Sequence, residues 1–214
     1  MKLHRSAPGK PPWSTEANFA GLWDEVARAA PFDVPDDLGE RFARYRDELR
    51  RFNERINLIR VKSDHEFAAR HLLDALAGLS LLPARGHVMD IGSGAGIPGL
   101  VLAVARPDLA FTLVESIGKK AAFLSQARRA LELGNVTVFA DRFEDADLTE
   151  VSLFTARAVT DPSALVRLVR ARATAPIAIW TRPDVHAIDE ERRIVYRLPG
   201  DRLERVVVRI ASAS

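Results

Sequence analysis

The sequence predicts an α/β fold: a mainly parallel seven-stranded sheet with an antiparallel last strand, preceded by an N-terminal helical extension. Three observations predict it. From residue 86 short apolar runs alternate with helical patterns, which calls for parallel strands joined by crossovers with helices on both faces. The first of these runs, Val88 to Ile91, enters a turn containing Gly92, Gly94, Gly96 and Gly99. The last two runs are separated by about five residues, too few for a parallel crossover, so they pair antiparallel.

Composition narrows the class. The 214 residues are 47% hydrophobic and 28% charged, the balance of a globular chain. There is no cysteine, which excludes disulfides and thiolate chemistry. The opening "MKLHRSAPGKPPW" has early positive charges but no apolar core of a leader. No apolar run approaches the roughly 18 residues of a membrane span. The expected setting is cytoplasmic, with no membrane and no metal partner.

In chain order, residues 1–12 read as a disordered, proline-rich tail and 13–85 as the helical extension. Residues 15–30 form a first helix. "PDDLGERFARYRDELRRFNERI" forms a second, with Pro35 in its first turn and acids at its start. The third opens on the capping box Ser63-x-x-Glu66 and runs to Pro83, with Leu72, Leu73, Leu76 and Leu79 facing inward. Residues 86–214 form the sheet domain. The strand "HVMDI" leads to the helix "IPGLVLAVA", and "AFTLVES" to "GKKAAFLSQARRALEL", ended by Gly134. "NVTVFA" and "VSLFTARAV" are strands, followed by the helix "DPSALVRLVRARA" with Asp161 as cap and Pro162 at its first position. "PIAIWT" is a strand, and "RRIVYRLP" with "RLERVVVRIAS" makes the closing pair.

Two cofactors fit the glycine turn, where a helix N-terminus points its free N–H groups at a ligand. Gly94-x-Gly96-x-x-Gly99 matches the dinucleotide fingerprint. Asp90-x-Gly92-x-Gly94-x-Gly96 matches the S-adenosylmethionine turn. Glu115, at the end of the second strand, suits the ribose hydroxyls of either cofactor. Asp90 discriminates, because a carboxylate there repels a pyrophosphate and pairs with the ammonium of S-adenosylmethionine. About 110 residues follow Gly99, enough for one sheet but not for a dehydrogenase's second domain. The phosphate-loop reading fails, since no Gly-Lys-Ser/Thr follows the glycines. These features predict a class I, Rossmann-like, S-adenosylmethionine-binding methyltransferase domain. Asp90 as a plain helix cap and Glu115 as a solvated strand end are the alternatives.

An ordered set of motifs carries a closer resemblance: "FNERINLI", "ARHLLDAL", "DIGSGAGIPGLVLA", "RPDL", "VESIGKKAAFL", "DRFED" and "ARAV". The chain resembles the glucose-inhibited division protein B family, whose members methylate guanine N7 in 16S ribosomal RNA. The resemblance covers residues 50–160. It implies cofactor contacts from Gly92 and Ile97 in the turn and adenine contacts from Phe143 and Glu144. It also implies a cofactor-binding arginine, Arg157, in the catalytic pocket. Beyond residue 160 the chain departs from the family pattern: "ATAPIAIWTRPD" has neither the lysine–glycine pair nor the glycine-rich turn, and Arg182 is the nearest positive charge. Guanine N7 carries a free lone pair, so the reaction needs alignment rather than a base.

The implied partner is 16S ribosomal RNA or a precursor of the small ribosomal subunit, which calls for a positive surface. Residues 41–62 carry eight basic and three acidic groups, whereas 63–164 sum to −4. Arg44, Arg46, Arg50, Arg51 and Arg55 on one helix are the RNA-binding candidates. A solvated helix face is the plain alternative, with Arg192, Arg193, Arg197 and Arg209 as the other docking set. A diverged relative methylating another RNA or a small molecule, and a non-catalytic RNA-binding protein, remain as other readings.

Overall fold

The computed structural model describes residues 13–157, 161–184 and 190–213; the expected tail, 1–12, lies outside them. Seven strands form one sheet: β1 (His87–Ile91), β2 (Ala110–Val114), β3 (Val136–Phe139), β4 (Val151–Arg157), β5 (Ile177–Thr181), β6 (Glu190–Tyr196) and β7 (Arg205–Ile210). Their order is β3-β2-β1-β4-β5-β7-β6. The first five run parallel, and β7 is antiparallel to both β5 and β6. The strand order therefore reverses between β1 and β4. A parallel sheet opens a crevice at such a switch point, outside the carboxyl ends of its strands.

The central strands of the sheet are buried on both faces, and side-chain alternation sorts their residues between two cores. Val88, Phe111, Leu113, Trp180 and Val207 face the larger core, with the helices α1 (Phe19–Arg28), α2 (Gly39–Asn53), α5 (Gly99–Ala105) and α6 (Gly118–Ala130). Met89, Val114, Ile179 and Val208 face the smaller one, under α7 (Pro162–Arg170) and a 3₁₀ turn at Phe143–Asp145. Asp161 caps α7 as its sequence suggests, accepting from the Ala164 N–H.

The N-terminal helices differ from expectation at their ends. α2 begins at Gly39, not near Pro35, because Asp37 adopts a left-handed φ of 60° that a helix cannot contain. It stops at Asn53, whose side chain accepts from the N–H groups of Leu58 and Ile59 and donates to the Ile59 carbonyl. α5 likewise begins at Gly99, after the Ile97–Pro98 bond, rather than at Ile97. α3 (Asp64–Phe67) opens as the capping box predicts: Ser63 accepts from Glu66 N–H at 3.1 Å. Glu66 reaches back one residue further than usual, to the Lys62 N–H at 2.7 Å. The run then widens into a π-helical segment, Ala68–Leu73, before α4 (Asp74–Leu76). Leu72, Leu73 and Leu76 are buried as predicted. Leu79 is only partly buried, because it sits in a 3₁₀ turn after the helical register has ended.

Where α4 ends, backbone and sheet approach closely. A Cβ on Gly78 would stand 2.3 Å from the Trp180 ring. Trp180 is itself fixed, its indole N–H donating to the Asp74 carbonyl at 2.8 Å. The ring cannot retreat without breaking that bond, so Gly78→Ala is expected to cost roughly 1–3 kcal/mol of stability through overpacking. Urea denaturation measures it; a variant as stable as the parent contradicts the close approach.

Candidate functional site

The crevice holds the glycine turn. Gly92, Gly94 and Gly96 take left-handed φ values of 69°, 56° and 84°, which side chains strain to adopt. At Gly92 nothing lies within 4 Å of where a Cβ would stand, so the backbone faces open space. Glu115, buried at the end of β2, closes the turn. One carboxylate oxygen accepts from Gly94 N–H at 2.9 Å and the other from Ile117 N–H at 2.8 Å. The solvated strand end considered as an alternative does not describe it.

Asp90 lies beside this turn and is 1% exposed. Register places it opposite Thr155 of β4, whose hydroxyl donates to Oδ1 at 2.8 Å. The Asp90 carbonyl accepts from Ser93 Oγ. Oδ2 has no hydrogen-bond partner among the described residues. Burial pushes the carboxyl up to about 6, against the hydroxyls of Ser93 and Thr155 and the backbone N–H of Gly99 at the start of α5. The charge on Glu115 pushes the same way. A cation reaching Oδ2 would reverse that shift.

The remaining expected contacts divide. Ile97 is half-buried beside the turn. Phe143 is a core anchor rather than an open platform: its ring packs edge-on against Phe154 at 5.8 Å, with the Arg172 guanidinium over it. Arg172 also donates to the Phe143 and Ala146 carbonyls, which holds the 3₁₀ turn in place and leaves Glu144 exposed upon it. The core anchor is one of the two roles that an apolar residue between charged neighbours leaves open, and the backbone of the turn stays at the crevice.

Arg157 ends β4 at the crevice, where its side chain is 18% exposed. Its Nη2 donates to Asp74 Oδ2 at 2.8 Å and to the Arg70 carbonyl at 3.0 Å. Charges meet here from distant parts of the chain. Asp74 also receives Tyr196 Oη at 2.7 Å and Arg205 Nη1 at 3.2 Å, and Asp201 pairs with Arg70 and Arg205. His71 lies among these guanidiniums. Burial and then the charges of Arg157, Arg205 and Arg70 lower its pKa to about 3, so it stays neutral. From the other side, buried Tyr45 of α2 donates its hydroxyl to the Ala95 carbonyl of the glycine turn.

Sequence reasoning missed Tyr45, His71, Asp74, Thr155 and Arg205. Asp74 did carry a signal, a lone acid on the apolar face of a leucine-rich helix.

The arginines of α2 do not act as one set. Arg46 is buried and serves the fold, a correction to its expected RNA contact. It meets Asp64 at 2.6 Å, Asp47 at 2.9 Å and the Glu16 carbonyl, and lies over the Phe19 ring. Arg50 is half-buried over Trp13. Arg44 and Arg51 are exposed on α2, and Arg55 is exposed in the turn that follows it. Arg51 pairs with Glu48, whereas Arg44 and Arg55 have no ion-pair partner among the described residues. On the closing strands, Arg193, Arg197 and Arg209 pair with Glu190, Glu204 and Glu191, and Arg192 donates to the Ser80 carbonyl.

Comparison with known proteins extends these findings. Solved structures that share the fold include a mutant of MtNAS in complex with S-adenosylmethionine, at TM-score 0.53 and 16% identity, covering 81% of this chain and 72% of that one. TrmK of M. capricolum, in complex with S-adenosylhomocysteine, aligns at TM-score 0.50 and 7% identity over 65% of this chain and 68% of that one. Curated relatives named ribosomal RNA small subunit methyltransferase G include that of Roseiflexus sp. (strain RS-1), 42% identical over 65% of this chain and 62% of its own length. That of Roseiflexus castenholzii is 44% identical over 59% and 57%, and that of Solibacter usitatus 39% identical over 77% and 80%. The match thus spans about three fifths of the two Roseiflexus proteins. The family model described as rRNA small subunit methyltransferase G (GidB) matches residues 39–175, from the start of α2 to the approach to β5. The chain belongs to the rRNA small subunit methyltransferase G family.

Proposed function

We propose that this protein transfers a methyl group from S-adenosylmethionine to the N7 of a guanine in the 16S ribosomal RNA of the small subunit, acting in the cytoplasm. The observation that carries the reading is the buried Asp90 carboxylate, with one oxygen unpartnered beside three left-handed glycines. That combination suits a cofactor with an ammonium group and a ribose, and it disfavours a pyrophosphate. The names of the relatives support the same chemistry.

The residues present fit such a cofactor. Asp90 Oδ2 would receive the ammonium. Gly92 and Gly94 would let the ligand lie against bare backbone. Glu115, with one N–H on each oxygen, keeps a lone pair on each for the ribose hydroxyls. Glu144 and the backbone of the 3₁₀ turn would flank the adenine end, with Ile97 on the turn itself. When bound, the cofactor supplies an electrophilic methyl group on a positively charged sulfur.

The chain's own task is alignment. The guanine N7 lone pair needs no proton removed, so the residues hold the base in line with the methyl group and exclude water. Positive charge passes from sulfur to the purine ring during transfer. A bare arginine beside that ring would oppose the change. Arg157 reaches the crevice with Asp74 already against it, so it can hold the base or the cofactor at reduced charge.

The reading is tested by incubating the protein with methyl-labelled cofactor and undermethylated small-subunit RNA. Label is expected in 7-methylguanosine on nucleoside analysis, forming much more slowly with Arg157→Ala. Label in another nucleoside, or none, contradicts it.

For RNA capture, α2 and the turn after it are the better candidate, since Arg44 and Arg55 have no ion-pair partner among the described residues, whereas the closing-strand arginines are engaged by acids or a carbonyl. Reversing Arg44, Arg51 and Arg55 to Glu is expected to weaken RNA binding and flatten its salt dependence by about one unit of slope per lost phosphate contact. Filter binding across a salt series measures it. An unchanged slope assigns docking elsewhere.

A further inference from the structure

The fold leaves one buried charge cluster whose contacts converge on the crevice without belonging to the glycine turn. Its centre is Asp74, the first residue of α4, with a side chain only 4% exposed. A carboxylate this deep requires donors, and it has three from three other elements. Tyr196 Oη and Arg205 Nη1 reach Oδ1 from the closing hairpin, and Arg157 Nη2 reaches Oδ2 from β4. Arg205 is held in turn by Asp201, which also takes Arg70.

The contact to Arg157 is specific in form. The same Nη2 that meets Asp74 also donates to the Arg70 carbonyl, inside the π-helical segment. Such segments release backbone groups from the regular ladder and recur at functional sites. Two acceptors on one nitrogen orient the whole planar guanidinium. Nη1 and Nε remain without a partner among the described residues, so the clamp holds Arg157 while leaving its other donors for a ligand.

We propose that Asp74 is a positioning residue for methyl transfer: braced by Tyr196 and Arg205, it aims Arg157 at the acceptor base and offsets the guanidinium charge. The proposal rests on the reading that Arg157 works in the transfer pocket. It explains why an acid lies on the apolar face of a leucine-rich helix. It also gives the π segment and the closing hairpin a shared task at a crevice that neither lines with glycines. The charge argument agrees. Guanine becomes cationic as it accepts the methyl group, and a carboxylate within 2.8 Å of Arg157 lowers the repulsion that arginine would exert.

The test is a double-mutant cycle on the full-length protein, read as single-turnover methyl transfer to small-subunit RNA at saturating cofactor and RNA. Asp74→Asn keeps the shape but removes the charge, and is expected to slow transfer roughly 10- to 100-fold, the scale for a misplaced pocket group. Cofactor affinity, set chiefly by the glycine turn, is expected to change less than the rate. Arg157→Ala is expected to slow transfer at least as much, and the double variant no further than Arg157→Ala alone, because both act through one group. Tyr196→Phe removes only the brace and tests the same cycle if Asp74→Asn does not fold; a milder, equally non-additive loss is expected. Losses that multiply, as from an independent structural defect, overturn the proposal, as does a full rate in a folded Asp74→Asn. If Arg157→Ala itself keeps the full rate, the role of Arg157 fails and the positioning role falls with it. If only Arg157→Ala is slow, the positioning role fails alone.

Discussion

A carboxylate taken out of water must be met by donors, and much of this molecule is arranged around that constraint. Asp64, Asp74, Asp90 and Glu115 are all buried, and each sits where two parts of the chain meet. Asp64 joins the first helices, taking the Trp13 indole, the Glu16 N–H and Arg46. Asp74 joins helix, β4 and closing hairpin, and Glu115 joins β2 to the glycine turn. Asp90 is the exception, with the Thr155 hydroxyl on one oxygen, the other without a hydrogen-bond partner among the described residues, and the Gly99 N–H near enough to favour its ionised form. Glu48 also leaves an oxygen unmatched, but its other oxygen pairs with exposed Arg51 on the helix surface. The unmatched acid beside open glycine backbone is the one that the proposed cofactor would complete.

The N-terminal helices are joined to the sheet's working edge by polar contacts as well as by apolar packing. Tyr45 bonds the glycine turn at Ala95, and the π segment meets Arg157 through the Arg70 carbonyl. A protein built this way couples the geometry of its cofactor turn to helices that also present a row of exposed arginines. RNA docked on α2, as proposed, would be held by the element that touches the turn.

The legible parts of the fold were those written in local pattern. Strand alternation, the short closing connection and the acid–glycine turn all act within a few residues, and the mainly parallel sheet with its antiparallel closing pair follows from them. Helix ends were less legible. Pro35 and its acids look like a first turn, while the left-handed Asp37 that delays α2 leaves no mark in composition. The leucine spacing of 72–79 reads as a regular helix, and nothing in it announces a π segment. Site residues divided in the same way. The turn glycines, Asp90, Glu115 and Arg157 gather at one edge of the sheet, but Phe143 turned inward because the core beneath it needed a ring. Arg46 was misread since charge clustering does not reveal a partner 18 residues away. The partners of Asp74 were hidden for a related reason: Tyr196 and Arg205 lie 122 and 131 residues along the chain.

The central claim is that Asp90 and the glycine turn hold S-adenosylmethionine, and calorimetric titration between pH 8 and pH 5 tests it most directly. The free carboxyl titrates near 6, and the bound ammonium favours its ionised form. Binding must therefore release a proton once the pH is below about 6, and affinity must fall there by up to about tenfold per pH unit. The account predicts one cofactor per chain, this loss of affinity on acidification, and no binding of NAD. Tight NAD binding, or an S-adenosylmethionine affinity that is the same at pH 8 and pH 5, would contradict it.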